Sequence, residues 1–205
     1  KITKNIQSEA RIIRYNILVN YCKKNNIKIL LTAHNLEDQV ETFLMRLSRG
    51  SGLKGLSAMK PLSNINSKVD LYRPLLDVKK KYLIKISKSI FGTYFKDPSN
   101  KNTNYLRTKI RSLKKPIENS GIKYEQIFRS IQNLSSSKNT LDKYLDKIFK
   151  DLIKKTKGEI LINFVKYKRL GKDTKISLIN ESIKLLKNNY YDLRSKKVDN
   201  LINNL

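Results

Sequence analysis

The sequence is poor in cysteine, histidine and tryptophan, and it has no long apolar run. Cys22 is the only cysteine and His34 the only histidine among 205 residues, and tryptophan is absent. A lone cysteine excludes both a disulfide framework and a metal cluster built on cysteines. No apolar run approaches the roughly 20 residues of a membrane-spanning helix, and the first residues contain no signal-peptide core. We therefore expect a cytoplasmic protein without a membrane partner.

Acidic residues are also scarce, because 17 Asp and Glu face 44 Lys and Arg, a formal net charge of +27. Such a chain is attracted to polyanions, and nucleic acid is the first candidate. The alternative is a compositional bias, since Lys, Asn and Ile are abundant throughout, as in proteins from AT-rich genomes. With 39% hydrophobic residues, the chain has enough apolar side chains for one large domain or two small ones. The charge permits RNA binding without proving it.

The most informative stretch covers residues 32–52. The apolar run at residues 27–31 predicts a buried strand just before it. His34 follows at the carboxyl end of that strand, Asn35 is the expected helix N-cap, and from Leu36 the apolar residues recur at helical spacing. Ligands of open α/β sheets bind where a strand leads into a helix in this way. The alternative is structural, since acidic residues in a first helical turn complement the helix dipole.

A second stretch with chemical character lies at residues 104–111. Four polar residues share one face of the helix predicted there: Asn104, Arg107, Thr108 and Arg111. Two arginines one turn apart repel each other unless an anion or a carboxylate lies between them. The pair therefore indicates a phosphate clamp, and the alternative is that both arginines hold their helix against neighbouring carboxylates.

Both stretches resemble the tRNA(Ile)-lysidine synthetase family of the PP-loop, or N-type, ATP pyrophosphatase superfamily. The family reads Ala-His-x-x-Asp-Asp-Gln-x-Glu-Thr, and the matching residues here are Ala33, His34, Asp38, Gln39, Glu41 and Thr42, with Glu37 replacing the first Asp. The family's Arg-Gly-Ser-Gly-Leu-x-Gly-Leu element follows at residues 49–56. Its Asn-x-x-x-Arg-Asn-x-x-Arg element is matched by Asn104, Arg107 and Arg111, with Thr108 in place of the second Asn.

The resemblance implies an α/β fold with two domains. Residues 1–116 are expected to form the C-terminal part of a parallel-sheet, Rossmann-like PP-loop domain of the adenine nucleotide alpha hydrolase type. Residues 117–205 are expected to form a mainly helical, tRNA-binding domain. The family's Ser-Gly-Gly-x-Asp-Ser phosphate-binding loop does not occur in the sequence, which begins at Lys1 rather than Met. We therefore expect an internal piece of a longer protein, inactive on its own.

The activity that the resemblance implies is ATP-dependent ligation of L-lysine to the wobble cytidine of an isoleucine tRNA with a CAU anticodon. ATP adenylates the base at C2 and releases pyrophosphate, and the side-chain amine of lysine then displaces AMP. The expected cofactors are ATP and Mg²⁺, with Asp38 as the metal ligand because magnesium prefers carboxylate oxygen. The expected partners are tRNA and lysine, and a homodimer stays open.

The resemblance also implies roles for individual residues. The expected catalytic residues are His34, Asp38, Arg107 and Arg111. The expected substrate- and nucleotide-binding residues are Glu37, Glu41, Thr42, Arg46, Arg49, Gly50, Gly52 and Asn104. Fixed cations and donors stabilise charge that develops on phosphates, and a carboxylate near the lysine amine can accept its proton. Which carboxylate binds the metal and which acts as the base stays open.

Two other functions are kept beside this one. The first is a related PP-loop enzyme that thiolates tRNA cytidine, which is disfavoured because such enzymes use paired cysteines and Cys22 is alone. The second is a non-catalytic, basic RNA-binding module. The missing phosphate-binding loop favours this module, whereas the intact motif at residues 33–42 disfavours it.

Elsewhere the patterns predict mostly helix. The predicted helices are 8–23, one that Asp77 caps, two within 117–155 that are divided at 135–137, then 173–187 and 194–205. The helix after Asp77 is expected to bury Val78, Tyr82, Leu83, Ile86 and Ile90. Strands are predicted at 70–76 and 158–164, and a polar loop at 63–68.

Overall fold

The computed structural model of the protein describes residues 6–66, 68–95, 105–187, 198 and 200–202. The chain forms two compact units, residues 1–135 and 136–205. The boundary expected at residue 116 separates a PP-loop domain from a tRNA-binding domain by their functions, and it stays a prediction. Asn104 and most of the helix predicted at 194–205 lie outside the described residues.

The sheet of the first unit has three strands, which are β1 (Ile29–Leu31), β2 (Leu62–Asn66) and β3 (Val69–Tyr72), in the order β1-β3-β2. β1 pairs with β3 in parallel, with Leu31 opposite Tyr72, so the expected parallel pairing is confirmed for these two strands. The burial predicted for β1 was wrong, because Ile29 and Leu31 are more than half exposed. β2 pairs with β3 antiparallel. The prediction of a polar loop at 63–68 was wrong, because β2 covers most of this segment. The segment is too polar to be read as a strand, but an edge strand needs a partner on only one side.

Seven helices, counted over the residues that the structure describes, begin in the first unit. They are α1 (Ile6–Lys24), α2 (Leu36–Leu47), α3 (Leu53–Leu56), α4 (Lys80–Phe91), α5 (Leu106–Ser112), α6 (Lys114–Asn119) and α7 (Tyr124–Leu152), of which α7 continues into the second unit. The predicted caps fared differently. Asn35 caps α2 as expected, through a reciprocal pair of bonds with Asp38. Asp77 does not cap α4, whose N-cap is Lys79.

The region before α4 forms a turn because its backbone is hydrogen-bonded to the start of α2. The carbonyl of Val78 accepts a hydrogen bond from the N–H of Leu36 at 3.0 Å, which keeps residues 75–78 out of the helix. The buried stripe predicted for α4 was also wrong, since Tyr82, Ile86 and Ile90 are more than half exposed. Spacing identified the helix correctly but did not show which of its faces is covered.

The core of the first unit forms where α2 meets α7. Its buried members are Leu36, Val40, Ala58, Tyr124 and Ile131, and the partly buried Phe43 and Leu44 pack against them. Four of the five apolar α2 residues on one face therefore pack as the helical spacing predicts. The fifth, Leu47, is half exposed. This packing fixes the amino-terminal end of α2, where the motif begins.

The second unit has a core of its own around Leu152, Tyr167, Leu178, Ile179 and Val198. Its elements are the carboxyl-terminal part of α7, a hairpin of β4 (Ile153–Lys155) and β5 (Ile160–Ile162), α8 (Phe164–Lys168) and α9 (Lys172–Lys187). The strand predicted at 158–164 and the helix at 173–187 are confirmed. The break expected at 135–137 was wrong, because a serine run disfavours a helix only weakly and apolar spacing continues through it.

None of the helices in the described ranges has the length and apolarity needed to cross a membrane.

Candidate active site at the amino-terminal end of α2

His34 lies at the carboxyl edge of the parallel strand pair. The N–H of Thr32 donates to the carbonyl of Tyr72 at 3.0 Å, which extends the β1–β3 pairing by one residue. The Thr32 hydroxyl is then 3.0 Å from Nδ1 of His34. Burial lowers the pKa of His34 below its usual 6.5, Asp38 opposes this, and nearby arginine charges lower it further. The imidazole is therefore neutral near pH 7.

Two arginines of α5 hold two carboxylates of α2. Arg107 donates from Nη2 to Oδ1 of Asp38 at 2.6 Å and from Nε to Oε2 of Glu41 at 2.8 Å. Arg111 donates from Nε to Oε1 of Glu41 at 2.7 Å and from Nη2 to Oε2 at 3.0 Å. The two hydrogen bonds from Arg111 to Glu41 have the bidentate geometry that suits a guanidinium and a carboxylate. We call these four residues the ion-pair cluster.

Glu41 is the buried centre of the ion-pair cluster, with only 2% of its surface exposed. Burial by itself raises the pKa of Glu41, but the hydrogen bonds from Arg111 and Arg107 outweigh it, so the pKa lies below its usual 4.5. The hydrogen bond to Glu41 in turn raises the pKa of Arg111. Glu41 is therefore a charged residue in the interior, and the two arginines are what keeps it ionised.

Beside the ion-pair cluster lies an open pocket of about 250 Å³. Its lining residues are Asn35, Glu37, Asp38, Glu41, Lys80, Lys81, Ile84, Arg111, Lys114 and Tyr124. Glu37 accepts from the N–H of Lys80 at 2.8 Å and from Nζ of Lys114 at 3.3 Å. The Tyr124 hydroxyl is buried without a hydrogen-bond partner in the described part of the chain. Burial, and after it the charge of Glu41, raises the pKa of Tyr124 to about 12.

The carboxylates of the motif do not offer a ready cation site. Both oxygens of Glu37, Asp38 and Glu41 accept hydrogen bonds from arginine, lysine or backbone donors. Among the described residues, no three His, Cys, Asp or Glu side chains converge as metal ligands would. In this arrangement Asp38 neutralises Arg107, so the donor set does not fit Mg²⁺ and we derive no step through it.

A glycine-containing loop follows α2 and is tied back onto it. The side chain of Gln39 both donates to the carbonyl of Met59 at 2.8 Å and accepts from its N–H at 2.9 Å. Arg46 donates from Nη1 to the carbonyls of Gly55 at 2.7 Å and Ala58 at 2.9 Å. A Cβ on Gly55 would lie 2.6 Å from Cβ of Ser51, so this position requires glycine. Side-chain hydrogen bonds from Gln39 and Arg46 therefore hold this loop against α2.

The predicted site residues fall into two groups along α2. His34, Glu37, Asp38, Glu41, Arg107 and Arg111 gather at its amino-terminal end. Arg46, Arg49, Gly50 and Gly52 belong to its carboxyl-terminal end, and Arg46 stands about 12 Å further along the axis than Asp38. The hydroxyl of Thr42 donates a hydrogen bond to the carbonyl of Asp38 at 2.7 Å. Gly50 adopts a φ of 67° and Arg49 is exposed, while Asn104 lies outside the described residues.

Several structural participants were not singled out from the sequence as site residues. Gln39 and Gly55 shape the loop, Tyr124 and Lys114 line the pocket, and Arg73 lies buried beside the strand edge. Gln39 and Gly55 belong to the two matched family motifs, so the motifs themselves could have identified them as site residues. The placement of Tyr124 depends on α7 packing against α2, which no local pattern reveals.

Comparison with known proteins sets this geometry in a family. Residues 1–116, more than half of the chain, match the family of the PP-loop domain. The chain belongs to the PP-loop domain family. The α/β fold and the helix-rich architecture expected from the sequence are thereby confirmed, as is the family resemblance of the two motifs.

The relatives extend beyond this domain. The tRNA(Ile)-lysidine synthase of Wolbachia pipientis wMel is 34% identical over 205 residues, which is 100% of this chain and 47% of the relative. That of Zymomonas mobilis is 43% identical over 115 residues, 55% of this chain and 35% of the relative. The chain thus spans less than half the length of these curated relatives.

A solved structure supports the fold. The U34-tRNA thiolase of Methanococcus maripaludis, determined with its [4Fe-4S] cluster, aligns with a TM-score of 0.52 over 66% of this chain and 45% of its own. At 21% identity this likeness concerns the fold alone.

Proposed function

We propose that the protein takes part in ATP-dependent ligation of L-lysine to the wobble cytidine of an isoleucine tRNA with a CAU anticodon. The observation that carries this proposal is the ion-pair cluster, which joins the family motif at residues 33–42 to the second motif at 107–111. Alignment with the lysidine synthase of Wolbachia pipientis wMel along all 205 residues supports it further. The proposed partners are the tRNA and lysine, and the proposed cofactor is ATP. Mg²⁺ would enter as the counter-ion of ATP, since the carboxylates of the motif do not fit it.

The reaction divides into two transfers. The oxygen on C2 of cytidine attacks the α-phosphorus of ATP, and pyrophosphate leaves with the electron pair of the broken P–O bond. The side-chain amine of lysine then attacks C2, AMP departs with that oxygen, and the amine loses a proton. ATP supplies the activation, so the chain must bind three substrates, orient them and accept one proton.

Neutral His34 suits a donor or acceptor role rather than that of a fixed cation. The low pKa of Glu41 keeps it ionised, but both of its oxygens are bound by arginines, so we assign it to positioning. Asp38 is the more accessible carboxylate, since its side chain is 18% exposed against 3% for Glu41. We propose Asp38 as the group that meets the lysine amine, with His34 near the phosphates.

Arg107 and Arg111 are proposed to stabilise charge on the substrates while holding the carboxylates. One third of each side chain is exposed to solvent at this site. Arg46, Arg49, Gly50, Gly52, Thr42, Glu37 and Asn104 are proposed as substrate-binding residues. The helical region from 117 is proposed to contact tRNA, and cytoplasm is the proposed location.

The thiolase alternative is weaker. Cys22 is the only cysteine of the chain and it is buried on α1, whereas the curated relatives above are lysidine synthases. The solved thiolase adds fold likeness only.

The test uses the protein from its complete reading frame with ATP, lysine and an unmodified isoleucine tRNA transcript. We expect lysidine at the wobble position by mass spectrometry of digested tRNA, and pyrophosphate release that depends on the tRNA. An Asp38→Asn variant should lose product, whereas Arg14→Gln, an exposed change on α1, should behave as the parent. Sulfur incorporation would instead identify a thiolase, and tRNA binding without any product would identify a binding module.

A further inference from the structure

Arg73 is a buried arginine that has no carboxylate partner among the described residues. It is 9% exposed, and its Nη1 donates to the carbonyl of Lys60 at 2.8 Å and to the hydroxyl of Ser63 at 2.9 Å. Its Nε is buried and has no hydrogen-bond partner in the described part of the structure. A guanidinium that is taken out of water and bonded only to neutral oxygens is a costly arrangement unless an anion completes it.

The fold places Arg73 at the edge where ligands of parallel sheets bind. It follows the last residue of β3, and β3 is the parallel neighbour of β1, whose carboxyl end leads to Thr32 and His34. The ends of the two strands therefore present Arg73 and His34 side by side. Crevices outside the carboxyl ends of parallel strands are the usual ligand sites of open α/β sheets.

Other positive charges face the same edge. Helix α1, which carries Arg11, packs against both β1 and β3. Burial lowers the pKa of His34 and of Arg73, and the charge of Arg11 lowers both further, against Asp38 at His34 and Tyr15 at Arg73. Arg46 also lowers the pKa of Arg73. Arg11 lies against the ring of Tyr15, with Nη2 3.3 Å from its hydroxyl. This position differs from the ion-pair cluster, because there each arginine is matched to a carboxylate.

We propose that Arg73 and Arg11 form a binding site for a phosphate-type anion at the carboxyl edge of β1 and β3, beside His34. Arg73 supplies an interior donor that is fixed by the β2 segment, and Arg11 supplies a second charge from α1. The chemistry fits a phosphate or pyrophosphate group, either free or as part of a nucleotide. This inference deepens the proposed function, because the anion would be a phosphate of ATP or the released pyrophosphate.

The experiment is isothermal titration of the 205-residue chain with pyrophosphate and, in a separate arm, with AMP. Arg73→Gln and Arg11→Gln should each weaken pyrophosphate binding about 10- to 100-fold, the scale of a lost hydrogen bond to a charged group. Tighter binding of AMP than of pyrophosphate would assign the site to a nucleotide monophosphate, and the reverse would assign it to the diphosphate group. Both assignments support the anion site.

Two matched variants separate binding from folding. Ser63→Ala removes one Nη1 partner of Arg73 but keeps the charge, so it should lower the melting temperature and leave pyrophosphate affinity within about 3-fold of the parent. Arg14→Gln removes an exposed arginine of α1 and should change neither. If Arg73→Gln does not fold, Arg73→Lys and Arg11→Gln give the answer.

Unchanged pyrophosphate affinity in Arg11→Gln together with Arg73→Gln or Arg73→Lys would overturn the proposal, as would equal weakening by Arg14→Gln. Binding is measured without tRNA or lysine, so its outcome is independent of whether lysidine forms. A chain that makes lysidine but binds no anion through Arg73 would defeat this inference alone.

Discussion

The arginines of the first unit are held in two different ways. In the ion-pair cluster, Arg107 and Arg111 face the carboxylates of Asp38 and Glu41, so two positive charges meet two negative charges. Arg46 and Arg73, by contrast, are bonded to backbone carbonyls and one hydroxyl. A compensated pair stabilises the fold at any ligand concentration, whereas an uncompensated buried guanidinium is stabilised when an anion arrives.

The comparison changes how the motif is understood. Its acidic residues suggested metal binding and its arginines suggested a phosphate clamp, yet in the structure the two sets neutralise each other. The anion site that we propose lies instead at the strand edge, around Arg73. Each prediction below changes one side of this comparison.

The largest effect is expected for Glu41→Gln. It leaves two arginines facing a neutral amide, and breaking a buried pair costs about 3–5 kcal/mol, reduced to about 2–3 kcal/mol here because both arginines are one-third exposed. Urea titration followed by circular dichroism measures this. Glu118→Gln is the control, since Glu118 lies 4.0 Å from Lys114 in an exposed pair and should cost below about 0.5 kcal/mol. Equal losses in both variants would refute the central place of Glu41.

Arg107→Gln and Arg111→Gln should come next. Each leaves Glu41 with one arginine, so we expect a loss of about 1–2 kcal/mol in the free energy of unfolding. In the protein at its natural length, each should also lower the single-turnover rate about 10²-fold, the scale of a lost transition-state donor. Arg→Lys should recover part of the stability, since an ammonium lacks the guanidinium fork. Full activity in a destabilised Arg111→Gln would leave it a purely structural role.

Arg46→Gln tests the arginines bonded to carbonyls. It removes the bonds to Gly55 and Ala58, and we expect a loss of about 1 kcal/mol with a loosened loop after α2. Urea titration gives the energy, and hydrogen exchange at residues 55–59 reports the loop. Arg49→Gln, on the exposed side of the same loop, is the stability control and should be near neutral. Unchanged exchange in Arg46→Gln would mean that Gln39 alone anchors the loop.

The smallest effect concerns pH. The pKa of His34 is lowered in the fold, so the unfolded chain takes up a proton that the folded chain resists, and stability falls as pH drops below 6.5. Glu41 adds to this only below 4.5, where protonation removes its ion pairs. The melting temperature should therefore decline as the pH falls from 6.5 to about 5, and less so in His34→Gln. Identical profiles for the two proteins would show that the pKa of His34 is the same in the folded and the unfolded chain, and would contradict this prediction.

The sequence predicted the local features well and the distant ones poorly. The start of α2 follows from neighbouring residues, since Asn35 and Asp38 complete a cap within one turn. The pairing of Glu41 with Arg107 joins residues 66 positions apart, and nothing at either position names the other. The resemblance brought both motifs to one site, but only packing shows that the charges cancel.

The missed elements have a common cause. β2 is polar and lies at a sheet edge, so its strand character comes from β3 rather than from its own residues. The serines at 135–137 lie inside α7 because helical apolar spacing continues on both sides of them. Arg73 falls in the strand predicted at 70–76, but its burial depends on how β2 and β3 pair, which the local sequence does not show.

The most direct test of the two kinds of arginine is the rise in melting temperature that pyrophosphate produces in three proteins. A ligand that binds only the folded state stabilises it by mass action, independently of the starting stability. We expect the parent and Arg111→Gln to rise by similar amounts from different baselines, and Arg73→Gln to show little rise. A full rise in Arg73→Gln with none in Arg111→Gln would contradict the account, because it would place the anion on the arginines of the ion-pair cluster.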